Sequence, residues 1–195
     1  MHIVIVGAGA VGSFIASTLC TEGNDIAIID TNKTLLNDIQ EHLDVMTIHG
    51  NGAMYSVLKK ADINNADLLI AVSGSTESNI IACQTANHFN VKETICRVSS
   101  KDYFSENSEI SPSDYGITQV IYPTEVCAKN IVETIIRPHL KEVITFDTPG
   151  AIMVSFAITI NSPLHKVTLQ DFPNSTLLDV LPKFDSKKSK FTYVL

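Results

Sequence analysis

Ile3-Val4-Ile5-Val6-Gly7-Ala8-Gly9-Ala10-Val11-Gly12 is the stretch that decides the fold. Four β-branched residues in succession, apolar at every position, suit a strand buried on both faces. Gly7 ends the run and opens a G-x-G-x-x-G loop. Over residues 11–22, Val11, Ile15, Thr18 and Leu19 recur at helical spacing, Gly12 and Ala16 are small, and Gly23-Asn24 stops the pattern. The glycines therefore lie between a strand and a helix, the context that gives the motif meaning. Gly7 permits the tight turn, Gly9 lets a pyrophosphate approach the backbone, and Gly12 lets the helix pack against the sheet. The N–H groups of Gly9, Ala10, Val11 and Gly12 then face the anion. The helix dipole alone supplies about 0.3–1 kcal/mol, so direct N–H contacts must do most of the holding.

Outward from this loop, short apolar runs alternate with helical patterns. Strands are predicted at 26–29, 45–48, 68–72, 94–98 and 118–121. Helices are predicted at 31–42, around Val57-Leu58, at 76–89 and at 124–137, closed by Pro138. Alternation of this kind implies a parallel sheet with right-handed crossovers and helices on both faces. Six strands complete a Rossmann-type, doubly wound α/β domain over residues 1–140. Residues 141–195 form a second unit, with strands at 142–146 and 152–158 about the turn Thr148-Pro149-Gly150. The expectation is a small α+β domain, marginal by itself.

Asp30 stands at the end of the second strand, eighteen residues past Gly12. An acid there accepts hydrogen bonds from the adenosine ribose and repels the 2′-phosphate of NADP. NAD(H) is the expected ligand, and the same Asp30 suits ATP, ADP or AMP. Asp30 also stands where it can cap the helix after it, with Thr31 and Lys33 following, and the two roles can coexist. Ligands in open α/β sheets lie beyond the carboxyl ends of strands. Gly50, Asn51, Gly52 and Ala53 after the third strand, and Val72, Ser73, Gly74 and Ser75 after the fourth, are therefore candidates. Arg97 lies in an apolar strand and must find either a carboxylate or a ligand phosphate. Glu125 opens the last helix after Pro123.

Composition excludes several classes. Net charge is −7 with no basic run, which argues against nucleic acid. The stretch from His2 to Cys20 holds no acidic residue, Lys or Arg, lacks a basic n-region and a small-residue cleavage pattern, and no other apolar run approaches eighteen residues. The expectation is neither a leader peptide nor insertion into a membrane. Cys20, Cys83, Cys96 and Cys127 show no metal-ligand spacing and are expected as reduced core thiols. His88 and His139 fall near helix ends, where capping explains them. No nucleophile–base arrangement is legible, and residues 142–195 hold no concentrated acid/base set.

Taken together, the motifs resemble the nucleotide-binding regulatory subunits of Trk/Ktr-type potassium uptake systems, the RCK or KTN domains. The resemblance runs through Gly7–Gly12, Ile29-Asp30, Val57-Leu58 and Ala66-Asp67-Leu68-Leu69-Ile70-Ala71-Val72. It continues through Ser73-Gly74-Ser75-Thr76-Glu77-Ser78-Asn79, similar to the family's T-x-T-D-E-x-N, and through Arg97-Val98 with Tyr103, Ile121-Tyr122-Pro123 and Ser162-Pro163-Leu164. It implies Asn79 among the ligand residues. Departures are Gly50-Asn51-Gly52-Ala53 where G-D-A-T is common, Asp62 where glycine is usual, and Thr124 between Pro123 and Glu125. The resemblance also implies a C-terminal unit that ends before its final strands. The function it implies is regulatory and not enzymatic. A homodimer or larger ring, cytoplasmic and peripheral to the inner face of the plasma membrane, would gate a potassium-translocating membrane protein when nucleotide binds. The alternative reading is an NAD-dependent oxidoreductase or its truncated cofactor domain. A sensor for a sodium or proton antiporter is a third.

Overall fold

The computed structural model describes residues 1–105, 109–136, 140–145 and 152–156. The chain divides into two compact units, Met1–Cys127 and Ala128–Leu195, so the division falls inside the last helix and earlier than the expected residue 140.

The first unit alternates as the sequence predicts: β1 (His2–Val6), α1 (Ala10–Thr21), β2 (Asp25–Asp30), α2 (Lys33–His42), β3 (Met46–His49), α3 (Tyr55–Lys60), β4 (Leu68–Ala71), α4 (Thr76–His88), β5 (Glu93–Arg97) and β6 (Gln119–Ile121). Helix α5 (Pro123–Ile136) crosses into the second unit. The six strands are all parallel, in the order β3-β2-β1-β4-β5-β6. The chain leaves β1 in one direction through β2 and β3, then in the other through β4, β5 and β6. The switch point lies between β1 and β4, where such sheets open a crevice.

The period-two geometry of β1 explains its unbroken apolar sequence. Val4 and Val6 join Leu58, Ala82 and Cys83 on one face, while Ile3 and Ile5 join Ala16, Leu36 and Ile39 on the other. All four strand residues are buried. At the edge opposite the crevice, His2 ties several elements together. Its N–H donates to Asp67, its ring contacts Asp25 at 3.0 Å, and its Nε2 lies 2.9 Å from the Ala61 carbonyl oxygen.

Two local readings are corrected. Cys83 and Cys96 are buried and Cys20 is half-buried, but Cys127 is exposed on α5, so not all four thiols are core residues. Helix α2 begins at Lys33 and not Thr31, because Asn32 caps it, accepting from Thr34 N–H at 3.0 Å and Leu35 N–H at 3.4 Å. Asp62, in the place where the resemblance expects glycine, has φ +53, in the left-handed region. That conformation explains the glycine preference. Asp tolerates it better than most residues, and here its carboxylate accepts from Asn65 Nδ2 at 2.9 and 3.1 Å.

In the second unit β7 (Leu140–Thr145) and β8 (Ile152–Phe156) pair antiparallel, with an irregularity between Leu140 and Glu142. The turn at 148–150, His139 and Ser162-Pro163-Leu164 lie outside the described residues. Among the described residues, no helix is long and apolar enough to cross a membrane.

Candidate functional site

A crevice of about 230 Å³ opens at the carboxyl ends of the strands flanking the switch point. Val6 and Gly7 line it from β1, Ile29, Asp30 and Thr31 from β2, and Gly50, Asn51 and Gly52 from the turn after β3. Ser73, Gly74 and Ser75 line it from the loop after β4, with Ser78 from α4. The topology thus gathers at four strand ends residues that run from Val6 to Ser78 in sequence.

At Gly7 and Gly12 the glycine loop is shaped by contacts that tolerate no side chain. Gly7 has φ +108, and its N–H donates to the Ile29 carbonyl at 2.8 Å. A Cβ at Gly12 would stand 1.8 Å from the Gly7 carbonyl oxygen. Gly9 is the N-cap of α1 and supplies no side-chain cap, so the first-turn N–H groups of Ala10, Val11 and Gly12 are not satisfied by a capping side chain. That is the arrangement an incoming anion can complete.

Asp30 faces this loop. Its Oδ2 accepts from Ala8 N–H at 2.6 Å and its Oδ1 from Asn32 N–H at 2.7 Å, while its carbonyl accepts from Gly50 N–H at 2.9 Å. The helix cap belongs to Asn32, and Asp30 instead joins the end of β2 to the glycine loop. A carboxylate has about four acceptor positions, so both oxygens retain capacity for ligand hydroxyls.

The loop after β4 is held from beneath. Asn79 is fully buried. Its Oδ1 accepts from Ser73 N–H at 3.0 Å and Ser73 Oγ at 2.6 Å, and its Nδ2 donates to the Ser73 and Arg97 carbonyls at 3.2 and 3.0 Å. With its amide spent on the chain, Asn79 positions the loop and does not line the crevice. Ser75 caps α4 by accepting from Ser78 N–H at 3.1 Å, and donates to Glu77 Oε2 at 3.0 Å. The Tyr103 hydroxyl donates to the other Glu77 oxygen, and that bond is the main cause holding the Glu77 carboxyl below its ordinary pKa.

Other expected residues fall outside the crevice walls. Lys33 starts α2 and is exposed. The Ala53 N–H is bonded to Asn51 Oδ1 at 2.9 Å. Val72 is buried, and its carbonyl receives Arg97 Nη1 at 3.4 Å. Among the described residues Arg97 forms no ion pair with a carboxylate. Glu125 pairs with Lys101 at 2.9 Å on the surface. Ser75 lines the crevice with Ser73 and Gly74, and Ser78 is the polar crevice residue that sequence reasoning missed. Ser75 also stands just before α4, where a serine cap belongs. Among the described residues no cluster of His, Cys, Asp or Glu could hold a metal ion.

Residues 3–123 match the TrkA-N domain family model. The chain belongs to the TrkA-N domain family. The matched span covers every residue of the crevice and ends just before Glu125. A Trk system potassium uptake protein TrkA homolog of Methanothermobacter thermautotrophicus is 32% identical over 166 residues, covering 85% of this chain and 74% of that protein. The Trk system potassium uptake protein TrkA of Vibrio alginolyticus is 31% identical over 189 residues. That match covers 96% of this chain, which spans only 40% of the Vibrio protein. Among solved structures, the TrkA-N domain of the inner membrane protein ybaL from Escherichia coli superposes with a TM-score of 0.61 at 22% identity, over 69% of this chain and 96% of that one. The GsuK channel bound to NAD superposes at 0.57 with 17% identity, over 67% and 23%. At these identities the two structures establish a shared TrkA-N fold.

Proposed function

We propose that this TrkA-N domain binds NAD(H) as a signal and regulates a potassium-translocating membrane protein from the cytoplasmic face. The observation that carries the reading is the pairing of an α1 N-terminus without a side-chain cap with Asp30 across the glycine loop. A pyrophosphate meets the N–H groups of Ala10, Val11 and Gly12, and the adenosine ribose meets Asp30. The naming of the Methanothermobacter and Vibrio relatives as potassium uptake proteins, and NAD bound in GsuK, support the potassium and nucleotide parts. ATP or ADP would use the same two contacts.

The ligand acts without turnover in this reading, by binding one assembly state better than another. A differential of about 1–3 kcal/mol biases such an equilibrium 5- to 150-fold. The assembly is a homodimer or ring. Val126, Ile131, Val132 and Ile135 of α5 are all exposed, at 52%, 55%, 49% and 72%. Apolar residues recurring at helical spacing and open to solvent mark a surface that wants a partner. A second copy, with α5 crossing to it, supplies one.

Calorimetric titration of NAD⁺, NADH, ATP and ADP, read beside the oligomer mass, tests both parts. A ligand-induced change in assembly with no consumption of NADH is expected. A strict monomer with nucleotide bound removes the assembly mechanism, and absence of binding by all four removes the nucleotide.

A further inference from the structure

Cys83 and Cys96 meet inside the first unit. Cys83 lies in α4 and Cys96 in β5, and both are fully buried in the cluster that also holds Val4, Leu69 and Ala82. Both sulfurs lie against the same strand, Cys83 Sγ 4.0 Å from the Ile95 carbonyl oxygen and Cys96 Sγ 3.8 Å from that of Arg97. The Cys83 thiol donates to the Cys96 sulfur. That bond, with burial, pushes Cys83 above the ordinary thiol pKa, and the same bond holds Cys96 below it. The other two thiols are placed differently. Cys20 Sγ lies 3.6 Å from the Asp44 carbonyl oxygen, and Cys127 is exposed. Alanine or valine would fill an apolar layer as well as either buried cysteine. Two thiols in contact add chemistry, since they can give up two protons and two electrons for a bond.

The pair also stands next to a support. Asn79, one helical turn before Cys83, binds Ser73 and the Arg97 carbonyl, and Cys96 directly precedes Arg97. A bond between the sulfurs draws α4 against β5. A close-packed interior transmits such a displacement and does not absorb it, so it reaches Asn79. We propose that Cys83 and Cys96 form a redox modification site, closed to a disulfide by a hydroperoxide, whose state sets how firmly Asn79 holds the Ser73 loop. The oxidant reaches the pair when α4 lifts locally from β5. The Cys96 sulfur attacks one peroxide oxygen, the O–O bond breaks, and the thiol proton leaves with the other oxygen as water. Cys96 is then a sulfenic acid. The Cys83 sulfur attacks it, the S–S bond forms, the S–O bond breaks, and the Cys83 proton leaves with the hydroxide as a second water. Two thiols and one peroxide thus give one disulfide and two waters.

The test treats the wild-type chain and Cys83→Ala with hydrogen peroxide, then maps thiols by mass spectrometry of unreduced peptides and follows amide hydrogen exchange at Ser73. In wild type a bridge between Cys83 and Cys96 is expected, with exchange at Ser73 faster by about tenfold or more, and dithiothreitol should restore both. In Cys83→Ala the reaction should stop at a Cys96 sulfenic acid, trapped by dimedone, with exchange at Ser73 unchanged by peroxide. Oxidation confined to Cys20 and Cys127 overturns the site. A mapped bridge that leaves exchange at Ser73 unchanged overturns its coupling to the loop. If alanine prevents folding, Cys83→Ser carries the same comparison at nearly the original size. Neither readout uses a nucleotide, so the outcome stands apart from what the crevice binds.

Discussion

The starts of α1 and α4 are built from the same parts and do opposite things. Each follows a buried parallel strand and begins at the crevice edge. Helix α1 begins at Gly9 and has no capping side chain and no acid in its first turn. Helix α4 begins at Ser75, whose hydroxyl caps it, and carries Glu77 in its first turn. One helix end is left open to an anion, and the other is satisfied and shielded by negative charge. The difference teaches that topology offers two anion sites at a switch point and that side chains choose between them.

The largest expected effect is at Gly12. Gly12→Ala forces a Cβ against the Gly7 carbonyl and should cost about 3 kcal/mol of stability by denaturant unfolding, near the upper range for overpacking. Gly9→Ala is its counterpart, since the added Cβ meets nothing. It should leave unfolding unchanged or slightly improved while weakening NADH by roughly 1–3 kcal/mol in calorimetry. If both glycines lower stability equally, the open space at Gly9 is not real.

Ser75→Ala removes the α4 cap and should cost about 1 kcal/mol of stability, with ADP affinity held. A gain in phosphate or ADP binding at the uncapped helix would sharpen the contrast, and a large loss of ADP binding would break it. Asp62→Ala keeps a Cβ in a left-handed conformation and loses the bonds from Asn65, for about 1 kcal/mol of destabilisation in the same unfolding assay. The smallest effect concerns Glu77. Its folded pKa lies below the ordinary value, so its contribution is complete above the ordinary carboxylate range and is lost as pH falls through the lowered value. Tyr103→Phe should move the Glu77 titration, followed by NMR, back up toward ordinary. A titration that does not move would remove Tyr103 as the cause.

Much of the fold is legible because β1, β2 and β4 are buried on both faces and read as unbroken apolar runs. The strand ends could therefore be placed, and with them Gly7, Asp30, Asn51 and Ser73. The rest depends on contacts between distant positions. Nothing local says that Asp30 reaches back twenty-two residues to Ala8 and leaves the α2 cap to Asn32. Asn79 shows a deeper limit. A polar residue that touches a ligand and one that holds the loop beneath it need the same amide, and only burial separates them. Glu125 has a proper place in a helix first turn, but Lys101 takes it.

The bond from Asp30 to Ala8 has a consequence for how affinity losses are read. One carboxylate serves as fastener of the loop and as proposed acceptor for the ribose, so Asp30→Ala removes two things at once. Its measured loss, roughly 1–3 kcal/mol for a buried acceptor, is a sum. A dinucleotide lacking the adenosine 2′-hydroxyl removes a ligand contact and leaves the fastener in place. The gap between the two losses is what the site gains by being set before its ligand arrives.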